Sequence, residues 1–206
     1  MKQLTIFITM LLCAVGVWAQ GTASQKDAYT DLKWAGVTGP VKRIVVVVPD
    51  ANDENRVTYY FDRRGHLQEV QVNGNRQSIR RDEQGRITFV YSSVYCDPCG
   101  DGSYIDLGSQ FEYDARNRVE TEIGVYLECG DVYHYSYDQR GWCVSATAQA
   151  EGDCDDTPRR YSYSYSHLDA YGNWWQRVTT IRFLDANGQT VSSETFTTRR
   201  EIIYWE

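Results

Sequence analysis

The amino-acid sequence predicts an all-β chain: an antiparallel meander of repeated β-hairpins in a strongly curled sheet, barrel-like or folded over on itself. Three observations lead there. An Asp-x-x-Gly (or Asn) element recurs along most of the chain, the runs between its copies alternate apolar with polar residues, and no long segment carries a helical period.

The elements follow in order. Residues 1–19 read as a secretory signal peptide: Lys2 supplies the positive start, an apolar run follows, and Val17-Trp18-Ala19 ends in a small-residue cleavage pattern. The run falls short of the roughly 20 apolar residues that span a bilayer, so cleavage is expected rather than a retained anchor. Leu12 stands before Cys13 where a lipidation site takes Gly, Ala or Ser, which is against a lipoprotein. Residues 20–36 form an N-terminal lead-in segment, and the best helical candidate lies within residues 27–34. Gly39-Pro40 announces a first strand over 41–48, and 37–206 are expected to form a single β-repeat domain.

The turn element begins at Asp62, Asp82, Asp114 and Asp138, closing on Gly65, Gly85, Asn117 and Gly141; looser copies run from Asp169 to Gly172 and from Asp185 to Gly188. Asp at the first turn position accepts backbone N–H bonds, while Gly or Asn takes the left-handed conformation at low cost. Flanked by alternating runs, each copy is a hairpin turn, type I with an adjoining bulge. An aspartate repeated at every turn is structural rather than a catalytic carboxylate or a calcium ligand.

The alternation places Phe111, Tyr113, Val119, Thr121, Ile123 and Val125 on one face, and Tyr133, Tyr135 and Tyr137 likewise. Tyr161, Tyr163 and Tyr165 alternate with serines. After the Asp138 turn the apolar set becomes Trp142, Val144, Ala146 and Ala148, which assigns Cys143 to the polar face. By the same count Glu120 and Glu122 share one wet face. A sheet of about ten to thirteen such strands must curl to hide its apolar face.

Composition bounds the function. With 206 residues, 21 Lys+Arg against 28 Asp+Glu and a net charge of -7, the chain is acidic, which argues against a nucleic-acid partner. Tyrosine, at 16 residues against 6 Phe, is in marked excess, and its period-two placement beside the turns points first to building the repeat. Beyond the signal no stretch is apolar enough to span a membrane as a helix.

Folding the hairpins up from their turns places the Asp-x-x-Gly reversals at one sheet edge and the longer loops at the other. Cys96, Cys99, Cys129 and Cys154 lie in those loops and are the disulfide candidates, as befits an exported chain. Cys96-Asp97-Pro98-Cys99 also has zinc-ligand or redox spacing, but structural thiolate zinc sites belong mainly inside cells and no helix follows to lower a thiol pKa. The acidic loop at 151–156 and Asp97, Asp101 and Asp106 lack the ligand spacing of a calcium loop. No cofactor and no metal is expected.

The elements Tyr60-Phe61-Asp62-Arg63-Arg64-Gly65, Tyr113-Asp114-Ala115-Arg116-Asn117-Arg118 and Tyr137-Asp138-Gln139-Arg140-Gly141 resemble the tyrosine-aspartate (YD) repeats of the Rhs family of bacterial secreted or cell-surface proteins. Asp169-Ala170-Tyr171-Gly172-Asn173-Trp174 and the ending from Arg199 to Tyr204 look like variants in exported proteins of Bacteroidetes. The resemblance covers residues 57–206 and implies a β-shell and an exported location; the toxin-enclosing role of large relatives does not carry over to so few repeats.

The favoured function is a secreted, non-catalytic binding or scaffold module for an extracellular glycan or protein, located in the periplasm, on the cell surface or outside the cell. Trp174 and Trp175 are the candidate binding residues, because adjacent strand residues face opposite ways and one indole is then free to act as a platform. The alternatives are an extracellular polymer-degrading enzyme using a carboxylate pair, and an accessory of a toxin or surface-delivery system. No nucleophile elbow, zincin helix or phosphate loop occurs, and no carboxylate pair stands out.

Overall fold

A computed structural model describes residues 29–49, 54–95, 104–125, 129–152 and 157–206. After a single-turn helix, α1 (Asp31–Trp34), come β1 (Val41–Pro49), β2 (Glu54–Phe61), β3 (Leu67–Val72), β4 (Asn75–Arg81), β5 (Ile87–Tyr95) and β6 (Tyr104–Tyr113). The second half holds β7 (Val119–Val125), β8 (Cys129–Tyr137), β9 (Cys143–Gly152), β10 (Arg159–Leu168), β11 (Trp174–Leu184) and β12 (Thr190–Tyr204). Each strand pairs antiparallel with the next, and β12 returns to β1, so the meander closes into a twelve-strand barrel. Closure leaves no sheet edge unpaired.

The turn chemistry explains the hairpins. At each of the Asp62, Asp82, Asp114, Asp138, Asp169 and Asp185 turns, the carboxylate Oδ1 accepts from the backbone N–H groups two and four residues on, at 2.8–2.9 Å. The residue three on, a glycine or Asn117, sits at φ between 56 and 86°. After the Asp62, Asp82, Asp114, Asp138 and Asp185 turns the register shifts by a bulge. The expected type I turn with bulge is therefore what these residues form.

Two sequence expectations change with that bulge. It inserts one residue after the turn, so strict alternation slips by one. Glu122 consequently points into the barrel at 0% exposure while Glu120 stays outside, so the two carboxylates stand on opposite faces of the wall. Cys143 is likewise a fully buried thiol, donating to the Ser145 carbonyl at 3.5 Å, and Val144 takes the exposed bulge position. Edge placement changes too. The turns at Asp62, Asp82, Asp114, Asp138 and Asp169 share one rim with the start of β1, but the Asp185 turn joins β11 to β12 at the opposite rim.

The core fills the barrel. Tyr133 and Tyr135 on β8 and Tyr161 and Tyr163 on β10 point inward on either side of β9, whose Ala146 and Ala148 leave room for the rings. Tyr133 and Tyr161 meet across the alanines at 5.6 Å between ring centres. The tyrosines beside the turns lock one repeat to the previous one. Tyr113, Tyr137 and Tyr165 donate to the carbonyls of Ile87, Val119 and Cys143, each the first strand residue after the preceding turn, at 2.5–2.7 Å. Arg86 and Arg118 pair with their own turn aspartates at 2.7 and 2.6 Å and lie over Tyr113 and Tyr137 of the next repeat.

The segment before β1 is more than a lead-in. Thr30 caps α1, whose Trp34 is buried against Tyr59 of β2 and Phe111 of β6, plugging the rim that carries most of the turns. Buried Asp31 anchors the plug: it takes two bonds of 2.9 Å from Arg81, one of 2.7 Å from the Leu67 N–H, and one from the Tyr29 hydroxyl.

Candidate functional site

The two candidate tryptophans divide as adjacent strand residues should. Trp174 is 4% exposed, packed against Tyr165, with the Arg200 guanidinium 3.8 Å from its ring centre; it is a core residue and offers no platform. Trp175 is 54% exposed on the outer wall beside His167. Cys96, Cys99 and Cys154 lie outside the described residues, and of Cys129 only the strand position at the start of β8 is described. The acidic stretch at 153–156, Asp97 and Asp101 also lie outside them, whereas Asp106 is held by Ser93 and Arg80. Among the described residues no group of His, Cys, Asp or Glu is arranged to hold a metal ion.

The barrel interior holds ionisable side chains that the sequence did not announce. Burial pushes the Glu122 carboxyl up to about 8, against the opposing bond from the Tyr135 hydroxyl at 2.7 Å. Arg200 is buried over Trp174, donates to the Trp174 carbonyl, and is lowered to about 9 by burial and then by neighbouring Arg177. Arg177 is itself buried between the rings of Tyr163 and Trp174. Glu122, Arg177 and Arg200 are all buried.

Among the described residues one accessible concavity lies on the outside, where β12 closes on β1. It is a groove of about 590 Å³ across β12, β1, β2 and the β3–β4 turn. Its floor is aliphatic: Val45 and Val47 alternate outward from β1 while Ile44, Val46 and Val48 face the core. Register sets the rest. Val47 is paired with Arg199 on one side and Arg56 on the other, Val45 with Glu201 and Thr58, and Arg43 with Tyr60. Arg56 and Arg199 thus flank the floor about 10 Å apart at Cα, two strand spacings.

Seven arginines of the described residues are engaged by a carboxylate, and Arg43, Arg56 and Arg199 are among those that are not. Arg76, Arg80, Arg81, Arg86, Arg118, Arg140 and Arg159 each pair with a carboxylate. Among the described residues Arg43, Arg56 and Arg199 enter no ion pair, and the Arg43 Nε, shielded from solvent, finds no hydrogen-bond partner there. Trp175 is not among the residues that line this groove, although the next residue, Gln176, pairs with Arg199. Sequence reasoning missed the groove because its two halves are some 140 positions apart. The run from Ile44 to Val48 is apolar throughout, so its pattern tells neither which of these residues face outward nor which strand lies beside them.

No family model matches the chain, and no curated protein matches it in sequence. Among solved structures it is similar to a porin-like protein from Bacteroides uniformis, at 11% identity over 81% of this chain and 99% of that one, with a TM-score of 0.34. Likeness that low supports no argument about function.

Proposed function

We propose that the protein is an exported, non-catalytic binding module that meets an extracellular glycan or protein on the outer wall of its barrel. The observation that carries this reading is the groove at the β12–β1 closure, with an aliphatic floor and arginines that enter no ion pair among the described residues. Binding sites combine such apolar floors with a few directed polar groups. The signal-like start supports export, and residues 1–19 lie outside the described residues.

The outer wall favours water around the barrel rather than lipid. Arg56, Arg76, Arg80, Glu112, Arg160 and Arg182 stand exposed on it, and a cation on a lipid-facing wall costs about 2–4 kcal/mol at the bilayer midplane. No helix among the described residues is long and apolar enough to cross a membrane. Glu120 and Glu122 stand on opposite faces of the wall and so do not form a carboxylate pair.

A glycan array combined with a pull-down from the producing cell's envelope tests the reading. Retention of a defined glycan or protein, without loss of mass from that ligand, is expected. No retention in either arm overturns it, and cleavage of a retained glycan moves the protein to the enzymes.

A further inference from the structure

Resting on the reading above, we infer that the groove at the β12–β1 closure takes an acidic polysaccharide, one whose sugar rings carry carboxylate or sulfate groups. The protein as a whole is acidic, at -7, so an anionic polymer is repelled by most of its surface. The groove reverses that sign locally. Arg43, Arg56 and Arg199 converge on it, Glu201 is the single acid among its lining residues, and none of the three cations is engaged by a carboxylate of the described residues.

The chemistry around the arginines selects sugar over other anions. Val45 and Val47 offer flat aliphatic contact to the C–H faces of pyranose rings, and the Tyr60 ring extends that surface beside Arg43. Thr58 and Gln71, paired across β2 and β3, line the same groove; the Gln71 amide nitrogen donates to Glu69 at 2.7 Å, which leaves its carbonyl oxygen and the Thr58 hydroxyl for ring hydroxyls. Guanidinium groups recognise carboxylate and sulfate in a bidentate fork, which a lysine patch would not supply. Placing Arg56 and Arg199 on the two sides of the floor clamps a linear chain lying along β1.

The test is retention in affinity electrophoresis at low salt on four probes: polygalacturonate, dextran sulfate, neutral dextran and poly-L-glutamate. The full chain is compared with R56Q/R199Q and with R160Q/R182Q, which removes the same charge from exposed positions of β10 and β11 outside the groove lining. The expected result is retention on polygalacturonate or dextran sulfate but not on dextran. R56Q/R199Q should weaken that retention about tenfold or more, R160Q/R182Q less than about twofold. Unchanged urea midpoints confirm that both variants fold. Equal loss in the two variants overturns the assignment, as does retention on poly-L-glutamate without retention on either acidic polysaccharide. Retention on neutral dextran alone overturns it and leaves the binding-module reading standing. Retention on no probe, together with an empty glycan array and pull-down, overturns both.

Discussion

At Glu122 burial and hydrogen bonding oppose each other, and burial prevails: the carboxyl is pushed up to about 8 from 4.5 although Tyr135 donates to it. The folded chain therefore holds this proton more tightly than the unfolded chain. The stability it contributes is fully present below pH 4.5 and is lost as the pH rises toward 8. Glu122→Gln should remove that slope. In urea unfolding the variant and the parent should be close at pH 5, and the variant more stable by at least about 1 kcal/mol at pH 8.5, since one unit of pKa is about 1.4 kcal/mol. A constant difference across that range would contradict the assignment. Nothing in local sequence marked this residue as buried. Glu120 and Glu122 read as two members of one wet face, and only the extra residue of the bulge turns the second inward.

The hairpin is the element that was most legible. Asp-x-x-Gly with alternating flanks specified the turn type, the bulge and the left-handed third residue, because all three follow from one side chain accepting two N–H bonds and one residue tolerating positive φ. What the pattern did not convey was the cost to alternation downstream, at Cys143 as at Glu122. The turns also set the acid limit of the fold. Burial works to raise the carboxyls of Asp82, Asp114 and Asp138, yet backbone bonds and the Arg86, Arg118 and Arg140 guanidiniums hold them below the ordinary 3.8. Their contribution is present above that value and disappears as the pH falls through the lowered pKa values. Asp114→Asn keeps the turn acceptor and loses the Arg118 ion pair, whereas Asp114→Ala loses both. In thermal unfolding at pH 7 the alanine variant should be the less stable by about 1–2 kcal/mol. The helix α1 is the least legible element, four residues long and recognisable only as a short helical candidate. Its weight lies in Trp34, and Trp34→Ala should cost about 3–5 kcal/mol in urea unfolding, the range for a large core aromatic. A cost within error of zero would mean that the plug is dispensable.

For the whole molecule, closure is what converts an alternating meander into a working surface. An all-β, strongly curled sheet was evident from turns and periodicity, since each hairpin is a local event. The pairing of β12 with β1 is not local: nothing near Val47 names Arg199 as its neighbour, and no residue near Arg199 names Arg56 on the far side. The aromatic signal that did stand out, Trp174-Trp175, proved half core and half exposed surface. The tyrosine excess resolves the same way, into inward rings and hydroxyls that bind the previous repeat.

Residue-resolved NMR titration of the full chain with a polygalacturonate oligosaccharide tests the account most directly. Shift perturbations should fall on both sides of the closure, at Arg43, Val45 and Val47, at Arg56, Thr58 and Tyr60, and at Arg199 and Glu201, with the interior residues Glu122 and Arg177 unmoved. Perturbations confined to the loop rim or to one side of the closure, or none at saturating oligosaccharide, would contradict it.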